Sequence, residues 1–206
     1  MTTGPDSLLI PLFPLQAVLF PGGLLSLKVF EARYLDLVSD CLRESKPFGV
    51  VSLRQGAELR KPGETVVTES IGTLAELLDV DSAQPGILQV RCRGTQRFEV
   101  LSREQQADGL WQAQARMLPD DEAMLPTDNL IETVRGLANA IATLKQQGSE
   151  PFLKPFLFDN SGWVANRWCE ILPISGAAKQ KLMELPDPQV RLQLVDEFLR
   201  TKGVVK

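Results

Sequence analysis

The chain has 206 residues, 44% of them hydrophobic and 23% charged, with a net charge of −4 and a pI near 5.0. This is globular composition, long enough to bury roughly 70% of the unfolded surface without a covalent staple, and its acidic balance argues against a broad phosphate-binding surface while leaving room for a local basic groove. Histidine is absent, which removes Ser-His-Asp and Cys-His catalysis and His-ligated zinc.

Residues 1–7 are small and polar and read as a loose terminus. Residues 8–13 read as a short strand at a sheet edge, because Pro11 and Pro14 cannot donate to a ladder. Pro21-Gly22-Gly23 is a turn. In residues 24–30, Leu25, Leu27 and Val29 alternate with Leu24, Ser26 and Lys28, a strand period. The period changes over residues 31–44, where Tyr34, Leu35, Val38 and Leu42 mark one face of a helix stopped by Lys46-Pro47. Residues 48–53 form a buried strand and 54–63 a polar surface loop.

Residues 66–79 contain "TLAELLDV", helical by propensity, but Val66-Val67 and Gly72 beside it favour a strand. Residues 81–86 read as a turn, 87–93 as a strand, Gly94-Thr95 as a tight reversal into 96–101, and 111–117 as a strand facing inward with Trp111, Ala113, Ala115 and Met117. About seven short strands and one helix make an antiparallel barrel or pseudo-barrel.

The acidic, proline-bearing stretch 119–128 is a composition break, so a β-rich domain over 1–118 and a helical domain over 119–206 are expected. Helices are predicted over 129–146, 162–172, 175–185 and from Asp187-Pro188 onward, the last with Val190, Leu194, Val195, Phe198 and Leu199 as its buried stripe; residues 150–160 form a short helix or loop.

Cys41, Cys92 and Cys169 are odd in number and lack CxxC spacing, which fits three buried thiols in a reduced cytoplasmic protein. No apolar run approaches the ~20 residues of a membrane span. Neither GxxxxGK[ST] nor GxGxxG occurs, so nucleotide chemistry is not expected. The carboxylates at Asp79, Asp81, Asp120, Asp121 and Glu122 converge with nothing that would make a metal or acid–base site. No cofactor, metal or catalytic residue is therefore expected. Arg91, Arg93 and Arg97, with Phe98 beside them, form the one candidate nucleic-acid contact; the polar outer face of an antiparallel strand is the favoured account of them.

Pro11-Leu12-Phe13-Pro14-Leu15, Leu19-Phe20-Pro21-Gly22 and Phe30-Glu31-Ala32-Arg33-Tyr34 resemble the opening motifs of the Lon protease N-terminal substrate-binding domain family, in its compact single-domain bacterial form. "IGTLAEL", "GTQRFEV", "WVANRWCEILPIS" and "KQKLMELPDPQVRL" extend the likeness over nearly the whole chain, with Ala32 standing where the family usually has proline. The resemblance implies an α+β fold: an N-terminal β-rich PUA-like pseudo-barrel with one helix, then a C-terminal helical bundle, with the Gly-Thr-Leu-Ala-Glu stretch a strand. The ATPase and Ser-Lys protease segments of full-length Lon have no counterpart here. What is implied is a non-catalytic, ATP-independent module for unfolded or extended polypeptides, acting with a protease or chaperone partner. Leu15, Val18, Phe20, Phe30, Arg33 and Tyr34 are the peptide-binding candidates, although Arg33 better suits a structural role fixing nearby carbonyls or a carboxylate. An RNA-binding PUA-like module using Arg91, Arg93 and Arg97 is the alternative; membrane contact is not expected.

Overall fold

A computed structural model describes residues 7–58 and 65–206 of the chain. Residues 1–6 of the predicted terminus and 59–63 of the predicted loop fall outside the described residues, while Arg54 and Gln55 belong to a strand rather than to the loop. The chain divides into two compact units, Met1–Pro119 and Asp120–Lys206.

The described residues of the first unit form six strands, β1 Ser7–Leu15, β2 Leu24–Val29, β3 Phe48–Gln55, β4 Val67–Gln84, β5 Ile87–Gln105 and β6 Trp111–Met117, and one helix, α1 Ala32–Glu44. Their order is β2-β5-β4-β3-β1-β6, and β5 pairs with β6 as well, so five strands close into a ring with β2 outside it. All pairings are antiparallel except β1 with β3. A β-rich half followed by a helical part is the predicted fold class; the parallel β1–β3 pair makes the sheet mixed where an antiparallel barrel was expected.

The closed ring corrects three local expectations. β1 is not an edge strand: residues Ser7–Leu12 pair with β6 and Leu12–Leu15 with β3. Each proline sits where one flank has no ladder, the β3 flank at Pro11 and the β6 flank at Pro14. The described residues form six strands rather than seven, because β5 runs straight through Gly94-Thr95. β4 likewise runs on to Gln84, leaving only Pro85 and Gly86, the latter at φ 75°, to make the turn.

Two apolar clusters occupy opposite faces of this sheet. Val50 and Phe13 belong to the first and the adjacent Val51 and Leu12 to the second. The second draws on all five ring strands (Leu12, Val51, Leu74, Phe98, Ala113) and fills the barrel. Its space is tight: a Cβ on Gly49 or Gly72 would meet the Phe98 ring at 2.7 Å. The first cluster takes in α1 through Tyr34, Leu37, Val38 and Cys41. Leu42, read from sequence as part of that stripe, is exposed.

In the second unit a 3-10 turn, Asp128–Leu130, leads into α2 Ile131–Gln146, followed by α3 Ser161–Ile171, α4 Gly176–Glu184 and α5 Pro188–Thr201. Residues 150–160 contain no helix. Asn160, Ser175 and Asp187 cap α3, α4 and α5 through their side chains. The buried face of α5 is Arg191, Leu192, Val195, Asp196 and Leu199, while Val190 and Leu194 are exposed. The stripe is therefore rotated from the one predicted, because two of its core positions are charged. Arg191 bonds Asp121, Asn166 and the Leu182 and Leu185 carbonyls, so its charge is neutralised where it is buried.

Candidate functional site: an apolar cleft beside a free sheet edge

The Pro21-Gly22-Gly23 turn docks onto β5. Gly22 N donates to Gly94 O at 2.8 Å and Gly94 N to Gly23 O at 2.9 Å. A Cβ at Gly94 would lie 2.3 Å from the Phe20 carbonyl oxygen. Gly94 is thus a point of close backbone approach, the other reason a strand carries glycine. Thr73 of β4 donates its hydroxyl to Leu19 O at 2.7 Å. This knot buries Phe20 completely and Leu19 to 6% exposure. Phe20 therefore belongs to the core, which corrects its reading as a peptide-binding residue.

The same knot fixes where β2 starts, and β2 pairs only with β5. Its other flank is a free sheet edge among the described residues. Beside it lies a cleft of about 340 Å³, lined by Leu15 at the end of β1, Leu25 and Leu27 of β2, Phe30, and Tyr34 of α1. Lys28, Glu31 and Glu58 also line it. Three of the six predicted residues, Leu15, Phe30 and Tyr34, meet here. Phe30 is half exposed and Leu15 and Tyr34 form buried walls. Val18, half-buried, lies outside the cleft lining, as does Arg33. Leu25 and Leu27 were legible as an apolar face; that this strand forms an edge was not.

Tyr34 stacks on Phe13 with ring centroids 3.9 Å apart, and the Arg33 guanidinium lies 4.5 Å from its ring. Burial pushes its pKa up to about 12, against the opposing pull of Arg33. The hydroxyl stays protonated, and it has no hydrogen-bond partner among the described residues, so a buried wall of the cleft keeps an unused donor. Arg33 is held by Gly109 O at 2.8 Å and Glu31 at 2.9 Å. It joins the start of α1 to the β5–β6 loop, the structural role open to it from the sequence.

The arginine strand does not gather into one basic face. Arg93 is paired with Glu76 at 2.7 Å and Arg91 stands opposite Asp79 in the register. Arg97 is 5% exposed and donates to Pro119 O. Two of the three are the outer face of a charge-alternating ladder, and the third is buried.

Comparison with known proteins gives these features a lineage. The family described as the ATP-dependent protease La (LON) substrate-binding domain matches residues 9–201. The chain belongs to this Lon substrate-binding family. Its relatives include Lon protease from Anaeromyxobacter dehalogenans, 26% identical over 94% of this chain and 23% of that protein. Protein cereblon from Gallus gallus is 30% identical over 57% of this chain and 25% of its own length. The chain thus spans about a quarter of the length of these relatives. Among solved structures, a Lon N-terminal domain protein from Xanthomonas campestris superposes with TM-score 0.73 and 31% identity, covering 91% of this chain and 96% of that one. The N-terminal domain of Mycobacterium avium complex Lon protease shares the fold at TM-score 0.60 and 16% identity. The Lon-like motifs are largely those that build the knot: Leu19–Gly22 meets "IGTLAEL" at Thr73 and "GTQRFEV" at Gly94. No helix among the described residues is long and apolar enough to cross a membrane.

Proposed function

We propose that this protein is a non-catalytic, cytoplasmic polypeptide-binding module that takes extended apolar segments of unfolded chains into the cleft beside β2. The observation that carries this reading is the juxtaposition of apolar walls with a free strand edge: Leu15, Leu25, Leu27, Phe30 and Tyr34 beside β2. Such an edge offers main-chain hydrogen bonds to any extended chain, and the cleft adds a preference for apolar side chains. The unpartnered Tyr34 hydroxyl is placed to donate to a peptide carbonyl at the cleft wall. Membership of the Lon substrate-binding family supports polypeptide as the ligand class. Handing the bound chain to a protease or chaperone partner follows from the same reading.

The test is fluorescence anisotropy of a labelled, permanently unfolded polypeptide titrated with the full chain at low and high salt, with labelled single-stranded RNA in parallel. Saturable polypeptide binding that survives salt and falls in Phe30→Ser is the expected result. Salt-sensitive RNA binding with no polypeptide binding would overturn the reading.

A further inference from the structure

A second groove, of about 570 Å³, lies within the first unit between the N-terminal half of β1, helix α1 and the β5–β6 loop. Its lining combines Leu8 and Leu9 with Asp36, Asp40, Glu44 and Asp108. Leu8 and Leu9 are 55% and 56% exposed. Successive strand residues point to opposite faces, so both faces of this end of β1 are left about half open by the described residues. The flank is open as well. β1 meets β3 only from Leu12 onward, so along Leu8–Pro11 the flank opposite β6 carries no strand among the described residues. Exposed edges of this kind are usually blunted by charge or shortness; here the charge stands across the groove.

That charge is negative and not neutralised locally. Asp36 and Asp108 form no ion pair among the described residues, and Asp108 accepts only the Leu110 backbone N–H, at 2.8 Å. Asp40 pairs with Arg43 at 2.7 Å and Glu44 with Lys46 at 2.8 Å. Of the two cations in the lining, Lys46 is therefore engaged, and Arg33 is buried and held by Glu31. The groove thus presents apolar side chains, a free stretch of strand backbone and two uncompensated carboxylates.

We propose that this groove is a second polypeptide site, selective for an extended segment in which lysine or arginine alternates with large apolar residues. The alternation matches the period of a strand. Apolar side chains would lie on the face of Leu8, which it shares with Ile10, basic ones on the face of Leu9 toward α1, where they would meet Asp36 and Asp108, and the main chain would add to the open flank of β1. The proposal rests on the reading of the module as a polypeptide binder, and it adds a site and a chemical preference to that reading.

The experiment titrates the full chain into a short labelled peptide alternating Lys and Leu. A Glu–Leu counterpart and a Lys–Leu peptide N-methylated at alternate residues are the comparisons. The Lys–Leu peptide is expected to bind saturably and to weaken with salt. Asp36→Lys should weaken it roughly fivefold, the scale of an exposed charge pair. The Glu–Leu and N-methylated peptides should bind at least as weakly as that variant. In the Phe30→Ser background, which weakens the first cleft, Asp36→Lys should still weaken Lys–Leu binding by the same factor. Equal binding of the Lys and Glu peptides, or no effect of Asp36→Lys in either background, would overturn the proposal. Failure of the Lys–Leu peptide alone, with the apolar unfolded chain still bound, removes this groove and leaves the proposed function standing. Failure of both removes both.

Discussion

Replacing Gly94 with alanine tests whether the Pro21-Gly22-Gly23 turn is held by close approach to β5. Gly94 does not adopt the positive φ that a side chain disfavours, so alanine has no conformational reason to be excluded there. The obstacle is steric: the new Cβ would stand 2.3 Å from Phe20 O and 3.0 Å from Leu19 Cγ. A backbone oxygen cannot rotate away, so the turn must lift. Lifting breaks the two Gly22–Gly94 and Gly94–Gly23 hydrogen bonds and strains the Thr73–Leu19 bond, each worth about 1 kcal/mol net. It also loosens the packing of Leu19 and Phe20. The expected loss is about 3–4 kcal/mol, a large share of typical domain stability. Urea unfolding followed by tryptophan fluorescence reads it as a lowered midpoint. Gly86→Ala is the control, since it has open space around it but a φ of 75°, and it should lose about 1 kcal/mol from backbone conformation alone. A Gly94→Ala midpoint no lower than that of Gly86→Ala would refute the steric account of the knot.

Other perturbations separate fold from site. Tyr34→Phe removes a hydroxyl with no protein partner, so thermal unfolding should not move, while affinity for unfolded polypeptide should fall about fivefold, the worth of one hydrogen bond. Arg191→Met removes the bonds it makes to Asp121, Asn166 and two carbonyls in the second unit and should destabilise it by roughly 3–5 kcal/mol in chemical denaturation. Glu170, whose pKa burial raises to about 7 although Arg167 and Lys179 pull it down, takes up a proton on folding at intermediate pH. Its folded pKa lies above the ordinary carboxyl value of 4.5, so its contribution is most favourable below about pH 4.5 and declines until about pH 7, by on the order of 3 kcal/mol. Stability measured across that window should fall with rising pH, and Glu170→Gln should flatten the slope.

Residue pattern carried far in the first unit and less far at the site. Alternation in "LLSLKV" and "WQAQARM" located β2 and β6 and their inward faces, because period two is a property of a single strand. Which flanks are paired is a property of the whole sheet. That is why β1 read as an edge from its prolines although it lies within the ring, and why β2 carried no sign of being the free edge. Glycine is ambiguous in the same way: it serves reversals and close approaches alike, and Gly94 proved to be the second kind. In α5 the stripe was rotated because Arg191 and Asp196 are buried through paired charge, which an apolar pattern cannot register. At the cleft, Phe30 and Tyr34 were legible through the Phe-Glu-Ala-Arg-Tyr resemblance, whereas Leu25 and Leu27 join them only once β2 is placed.

The most direct test of the account is backbone amide hydrogen exchange of the full chain, free and saturated with an unfolded polypeptide. Binding by addition to the free edge predicts slowed exchange at alternate residues of Leu24–Val29, with smaller changes around Phe30 and Tyr34. Saturable binding that leaves the β2 amides unchanged, with protection only in the helices of the second unit, would contradict it.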